Sequence, residues 1–201
     1  MNRKACEYLC GCDPALGKWI ERIGPVKHKP HRFPPFQSLI RAIIHQQLSG
    51  KAAGTILQRF EALFPNSSFP SPAEVLALTP ERLRGAGLSR GKTVYVRDCA
   101  EKALGGVVPS LEAVDRMSDE ELIARLTTIK GVGRWTVEML LIFNLGRPDV
   151  LPIHDLSIQK GFKIVLGRRR MPLPQAIEKY GELWKPHRTT ASLYLWRASV
   201  M

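Results

Sequence analysis

Leu126-Thr127-Thr128-Ile129-Lys130-Gly131-Val132-Gly133-Arg134-Trp135-Thr136 is the most informative stretch of this chain. Upstream, Ser118-Asp119-Glu120-Glu121 carries the Ser-x-x-Glu pattern of a capped helix start. Downstream, helical periodicity resumes over 133–145. The stretch is therefore a tight turn between two helices. Gly131 and Gly133 flank one apolar residue, so the turn tolerates positive φ and the close approach of another backbone. Val132 is expected to plug the turn into the core. The turn ends on a helix start, where outward N–H groups and the helix dipole favour an anion. Lys130 and Arg134 flank that point. The pattern suits a sequence-independent phosphate site, with backbone amides binding oxygens and cations supplying long-range attraction. An ordinary αα-hairpin turn also uses glycine. The charge of the whole chain favours the phosphate reading.

The same period recurs on either side. Phe36, Leu39, Ile40, Ile43, Ile44 and Leu48 share one stripe behind Pro34-Pro35, and Gln47 falls on that stripe where a hydrophobe is expected. Ala53, Ile56, Leu57, Phe60, Leu63 and Phe64 form a second stripe after Ser49-Gly50, closed by Pro65-Asn66-Ser67-Ser68. Short helices are expected near Pro72 and Pro80, each behind a Ser or Thr cap. Longer ones fit 89–104, 155–165, 172–180 and 186–199. About ten short helices with short polar joints predict an all-α protein.

Composition agrees with a folded chain that meets an anionic partner. The 201 residues are 44% hydrophobic and 24% charged, which is ordinary for a globular domain. Thirty Lys and Arg against eighteen Asp and Glu give a net charge of +12, and nucleic acid is the commonest anionic partner of such a protein. No apolar run is long enough to span a bilayer, so no membrane is expected, and the N-terminus has no apolar leader. The expected location is cytoplasmic, with the nucleoid, in a bacterium or archaeon, and nuclear in a eukaryote. Cys6, Cys10 and Cys12 lack the paired spacing of a structural zinc site and no nearby His completes a set, so no metal held by side chains is expected.

After the hairpin, the chain runs on to Leu151-Pro152-Ile153-His154-Asp155-Leu156. Together with Ile129–Thr136, this segment resembles the helix-hairpin-helix-Gly/Pro-Asp signature of DNA glycosylases. Three further segments resemble the alkylpurine branch, of the DNA-3-methyladenine glycosylase II or AlkA type. They are Arg41–Ser49 with Lys51-Ala52-Ala53, Gly87–Lys92, and Trp184–Arg188 with Tyr194–Arg197. The resemblance runs from about Phe36 to the C-terminus. It implies a two-lobed helical fold with a cleft between lobes. The expected division is an N-terminal segment 1–35 packing with the C-terminal lobe, a helical lobe 36–145 carrying the hairpin, and C-terminal helices 146–201 completing the second lobe. Some relatives carry an N-terminal β domain, which is not expected here from the short stretch before the first recognised helix.

The resemblance implies a monofunctional glycosylase that excises alkylated purines such as 3-methyladenine and 7-methylguanine from double-stranded DNA. Asp155, by residue type a helix N-cap, corresponds to the catalytic Asp. Trp135 stands where bifunctional relatives carry the lyase Lys, which implies hydrolysis without strand cleavage. Trp135 and His187 are expected to line the base pocket, His187 standing where relatives often carry Trp or Tyr. Gln46, Gln47, Ser49, Lys130, Gly131, Gly133, Arg134 and Thr136 are the expected DNA contacts, with Gln47 filling the gap left by the flipped nucleotide. Arg41, Lys51, Arg90, Lys92 and Arg188 are further phosphate candidates, each by default a solvated surface charge. Trp184 and Trp196 are assigned to core packing. No Cys follows Cys99, so an iron–sulfur cluster is not expected. Hairpin carbonyls at Ile129 and Gly131 are expected to be able to hold a sodium or potassium ion. The expected state is a monomer. The competing readings are a non-catalytic helix-hairpin-helix DNA-binding module and a glycosylase for other damaged bases.

Overall fold

A computed structural model describes residues 3–201, and among them every regular element is helical. In chain order the helices are α1 (Arg3–Cys12), α2 (Pro14–Ile23), α3 (Pro35–His45), α4 (Gly50–Glu61), α5 (Pro72–Ala77), α6 (Pro80–Gly85) and α7 (Arg90–Leu104). There follow α8 (Leu111–Val114), α9 (Asp119–Leu126), α10 (Arg134–Met139), α11 (Leu156–Val165), α12 (Pro174–Gly181) and α13 (Arg188–Ala198). A π-helix, Leu140–Leu145, continues α10, and a 3-10 turn, Glu182–Trp184, follows α12.

Local chemistry explains most of the starts. Ser49, Ser71, Thr79, Ser89, Ser110 and Ser118 each accept a first-turn N–H through the side-chain oxygen. Ser71 with Glu74 and Ser118 with Glu121 complete reciprocal capping boxes. Sequence reasoning assigned no helix before Phe36, and α1 and α2 correct that. The signal was present: Asp13 caps α2 by accepting from Ala15 and Leu16 N–H, with Pro14 at the first helical position. The single helix expected over 133–145 instead changes to π-helical pitch at Leu140. Gly146, at φ 73°, ends it, and the Arg147 N–H donates to the Leu141 carbonyl at 2.9 Å.

The chain forms two compact units. One joins the N-terminal stretch through His31 to Leu141–Met201, and the other is Arg32–Leu140. The first buries Leu9, Leu16, Phe162, Trp184, Tyr194 and Leu195 together. Trp184 donates its indole N–H to Asp13 at 2.9 Å, so the carboxylate that caps α2 also satisfies the buried ring. A Cβ on Gly161 would lie 2.0 Å from the Leu195 carbonyl oxygen, so the glycine is what lets α11 and α13 touch backbone to backbone. In the second unit Leu39, Ile40, Ile43 and Ile44 of α3 are fully buried, as are Phe60, Leu83, Val96 and Leu122. Such a side chain contributes about 1.5–3 kcal/mol on leaving water. Leu48, expected on the α3 stripe, lies beyond the helix end and is 41% exposed.

Candidate DNA-binding and catalytic residues

The hairpin lies between α9 and α10 within the Arg32–Leu140 unit. Val132 is buried and plugs the turn, beside buried Ile129. The two glycines do different work. Gly131 has φ 77°, and a Cβ there would fall 2.2 Å from the Tyr95 ring. Gly133 has φ −94° and ψ 170°, ordinary extended backbone, which corrects the expectation of positive φ at both positions. A Cβ on Gly133 would meet nothing within 4 Å. The protein's own packing therefore requires glycine at 131 but not at 133. No side chain caps α10 at Gly133. The Ile129 carbonyl accepts from Val132 N–H at 3.0 Å and the Gly131 carbonyl from Gln46 Nε2 at 2.8 Å.

Helix α3 stops at His45, and the chain reverses through Gln46 and Gln47. Gln47 has φ 57°, a left-handed conformation that is costly for a residue with a side chain, about 1–3 kcal/mol. Its side chain is exposed, not part of the apolar stripe. Gln46 turns inward and donates to the hairpin carbonyl of Gly131, so the structure gives it a protein partner. Ser49, exposed, caps α4 through Ala52 N–H. His45, Gln46, Gln47, Trp135, Thr136 and Met139 line a cavity of about 430 Å³. Trp135 is 48% exposed at its edge, while Thr136 is buried.

The basic side chains divide sharply. Arg134 pairs with Glu120 at 2.5 Å and with Glu138 at 3.1 Å. The hydrogen bond to Glu120 raises the Arg134 pKa and lowers that of Glu120. Lys130 is largely exposed; its backbone N–H donates to Asp98 at 2.8 Å and its ammonium lies 3.4 Å from the same carboxylate. Arg41 pairs with Glu61 and lies over the rings of Phe33 and Phe69, and Arg188 makes a two-pronged pair with Asp149. Lys92 donates to the carbonyls of Ile44 and Gln46, both at 2.7 Å, and burial lowers its pKa. Arg41, Arg188 and Lys92 are therefore internal ties, which corrects the default of solvated surface charge. Lys51 and Arg90 are exposed.

In the other unit, Asp155 caps α11. Its Oδ1 accepts from Ser157 N–H at 2.8 Å, Ile158 N–H at 2.9 Å and the Trp196 indole N–H at 3.2 Å. Three donors thus fix one oxygen of a half-buried carboxylate. Trp196, assigned mainly to the core from sequence, does pack half-buried against that core, and it also donates to Asp155 and lies 5.6 Å from the Phe143 ring. Phe143, on the π-helix and 36% exposed, went unremarked in the sequence because a lone Phe in an apolar run reads as core. Trp184 is core, as expected. His187 precedes α13, packs edge-on to Tyr8 at 5.3 Å and lines a separate cavity of about 220 Å³ with His28, Arg147 and Tyr194.

Residues 40–186 match the family model of the HhH-GPD superfamily base excision DNA repair proteins. DNA-3-methyladenine glycosylase 1 of Schizosaccharomyces pombe is 40% identical over 200 residues, covering 98% of this chain and 87% of the relative. Two solved structures are similar. The S. pombe 3-methyladenine DNA glycosylase in complex with abasic DNA has a TM-score of 0.85 at 40% identity, with 98% and 97% of the two chains covered. A DNA-3-methyladenine glycosidase from Bacillus halodurans has a TM-score of 0.89 at 35% identity, covering 98% and 90%. With a family model spanning the hairpin and Asp155, and relatives alike over nearly their whole length, this chain belongs to the HhH-GPD superfamily of base excision DNA repair proteins.

Proposed function

We propose that this protein is a DNA-3-methyladenine glycosylase acting without lyase chemistry: it flips an alkylated purine from duplex DNA and hydrolyses its N-glycosidic bond. The observation that carries the reading is Asp155, a carboxylate held by three N–H donors at the start of α11. Methylation at N3 or N7 makes the purine cationic, so the base departs with the bonding electron pair and needs no strong general acid. Positive charge develops at the sugar C1′, and a fixed anion stabilises it. Water then adds at C1′ and loses a proton, for which Asp155 serves as orienting group and base. The products are the free base and an abasic sugar in an intact strand.

The remaining roles follow from geometry. Trp135, half-exposed in its cavity, offers a π face to a cationic base, worth about 0.5–2 kcal/mol. Gln47, exposed in a left-handed turn, fills the gap in the stack and hydrogen-bonds the orphaned partner base. Gly133, bare where its own protein leaves open space, admits a phosphate to the hairpin, and Lys130 attracts it. A sodium or potassium ion on the remaining lone pairs of Ile129 and Gly131 would add positive charge there. Neither an iron–sulfur cluster nor a side-chain metal has a part in this scheme. The protein acts as a monomer on DNA, in the nucleoid or the nucleus according to its host. No described helix is long and apolar enough to cross a membrane.

The test is base release from methylated duplex DNA under single-turnover conditions, with borohydride added in parallel. Asp155→Asn is expected to lower the rate by about 100–1,000-fold while DNA binding persists. A variant keeping more than about a tenth of the activity removes Asp155 from the chemistry. Stoichiometric covalent trapping of the parent protein by borohydride would refute simple hydrolysis.

A further inference from the structure

Helix α7 faces both proposed DNA-contacting segments with residues on successive turns. Near its start, Lys92 donates to the carbonyls of Ile44 and Gln46, both at 2.7 Å, where α3 ends and the Gln47 turn begins. One turn on, the Tyr95 ring fills the space beside Gly131. One turn further, buried Asp98 accepts the Lys130 N–H at 2.8 Å. The fourth tie joins the two segments directly: Gln46 Nε2 donates to the Gly131 carbonyl at 2.8 Å. Lys92 also anchors the backbone of the residue whose side chain makes that tie. Gln46 and Gln47 are adjacent, so whatever fixes the first restricts the second.

We propose that Gln46 and Lys92 are positioning residues which lock the Gln47 turn to the hairpin, so that wedge and phosphate site meet DNA as one rigid surface. Gln46 then acts on DNA only through the protein, in contrast to the direct contact expected from its sequence position. Lys92 uses its ammonium on two carbonyls and not on a phosphate. Burial of the ammonium, which lowers its pKa, agrees with that use. Gln47 is left-handed without glycine's freedom, so its conformation needs external restraint. Releasing either tie lets the wedge turn relax while the hairpin, held separately by Asp98 and Tyr95, keeps its shape. The inference rests on the reading of hairpin and turn as DNA-contacting segments.

The experiment uses the full-length protein with Gln46→Ala, Lys92→Met and the double variant, beside Gln47→Ala and Gly133→Ala as references. Thermal melting verifies folding, and all rates are taken per folded molecule. Each variant is measured for single-turnover excision on methylated duplex, and for affinity to plain duplex across a salt series. Expected for both single variants is an excision rate lower by about tenfold or more, with plain-duplex affinity within about twofold of the parent. The double variant should be no worse than the more severe single, because both ties serve one link. The salt slope of Lys92→Met should equal that of the parent. A slope smaller by about 0.9 would make Lys92 a phosphate ligand and overturn the proposal. Equal losses of excision and plain-duplex affinity in Gln46→Ala would make Gln46 a direct contact and overturn it too. Parental excision in the single variants, or full additivity in the double, would likewise exclude the lock. Should Lys92→Met not fold, Gln46→Ala alone decides by the same split. If Gln47→Ala and Gly133→Ala also behave like the parent, the DNA-docking reading itself fails; if those two fall as expected, only the proposed lock does.

Discussion

Replacing each hairpin glycine in turn by alanine separates a glycine the fold needs from one the ligand needs. At Gly131 the new Cβ must occupy φ 77° and would lie 2.2–2.6 Å from three Tyr95 ring atoms. The left-handed conformation costs about 1–2 kcal/mol and the overpacking about 1–3, so Gly131→Ala should lose about 2–5 kcal/mol of stability. For a domain of this size that lowers Tm by about 4–20 °C. At Gly133 the backbone is extended and the new Cβ meets nothing. The small loss of N-cap preference is offset by the reduced freedom of the unfolded chain, so Tm should move by about 3 °C or less. DNA affinity should behave in the opposite sense for Gly133→Ala. A methyl group that keeps a phosphate from one charge-assisted hydrogen bond costs about 1.5–3 kcal/mol, or about 10–150-fold in Kd. Phosphate contacts carry no sequence information, so abasic-analogue and plain duplexes should lose alike. Thermal melts and fluorescence anisotropy on both duplexes make the comparison. A Gly133→Ala protein that binds both duplexes like the parent at every salt concentration would refute the hairpin as a phosphate site.

Two further outcomes follow from the charges. Lys130→Ala should reduce the salt slope of DNA binding by about one unit, whereas Arg134→Ala should change it less, because Glu120 and Glu138 already neutralise that guanidinium; equal slopes from salt titrations of the two variants would contradict this. Burial raises the Cys99 pKa from 9.0 to about 12, so the fold favours the neutral thiol. That contribution is complete below pH 9 and is lost as pH rises from about 9 to 12; denaturant titrations of the parent and Cys99→Ala across this range should show a steeper alkaline loss in the parent.

Much of this architecture was legible residue by residue. The Ser, Thr and Asp caps, the glycine-bounded hairpin with Val132 plugged inward, and Asp155 as the start of α11 all depend on bonds a few residues long. Sequence displays such bonds directly. Asp13-Pro14 was equally local, and α2 could have been read from it. The ties that organise the proposed chemistry are of another kind. Trp196 reaches Asp155 across 41 positions, Lys92 reaches the Gln46 carbonyl across 46, and Gln46 reaches Gly131 across 85. A tryptophan at helical spacing is the same letter whether its N–H faces the core or a carboxylate. A lysine on a helix start reads as a solvated charge until folding brings two helix-end carbonyls to it. Likewise two glycines one residue apart are equivalent in the sequence, and only the Tyr95 ring beneath one and open space beside the other distinguish them. The helices, the turn and Asp155 as the cap of α11 were thus set by the order of residues, because they rest on periodicity and capping. Which polar groups meet was settled by folding, because that depends on where distant helices pack.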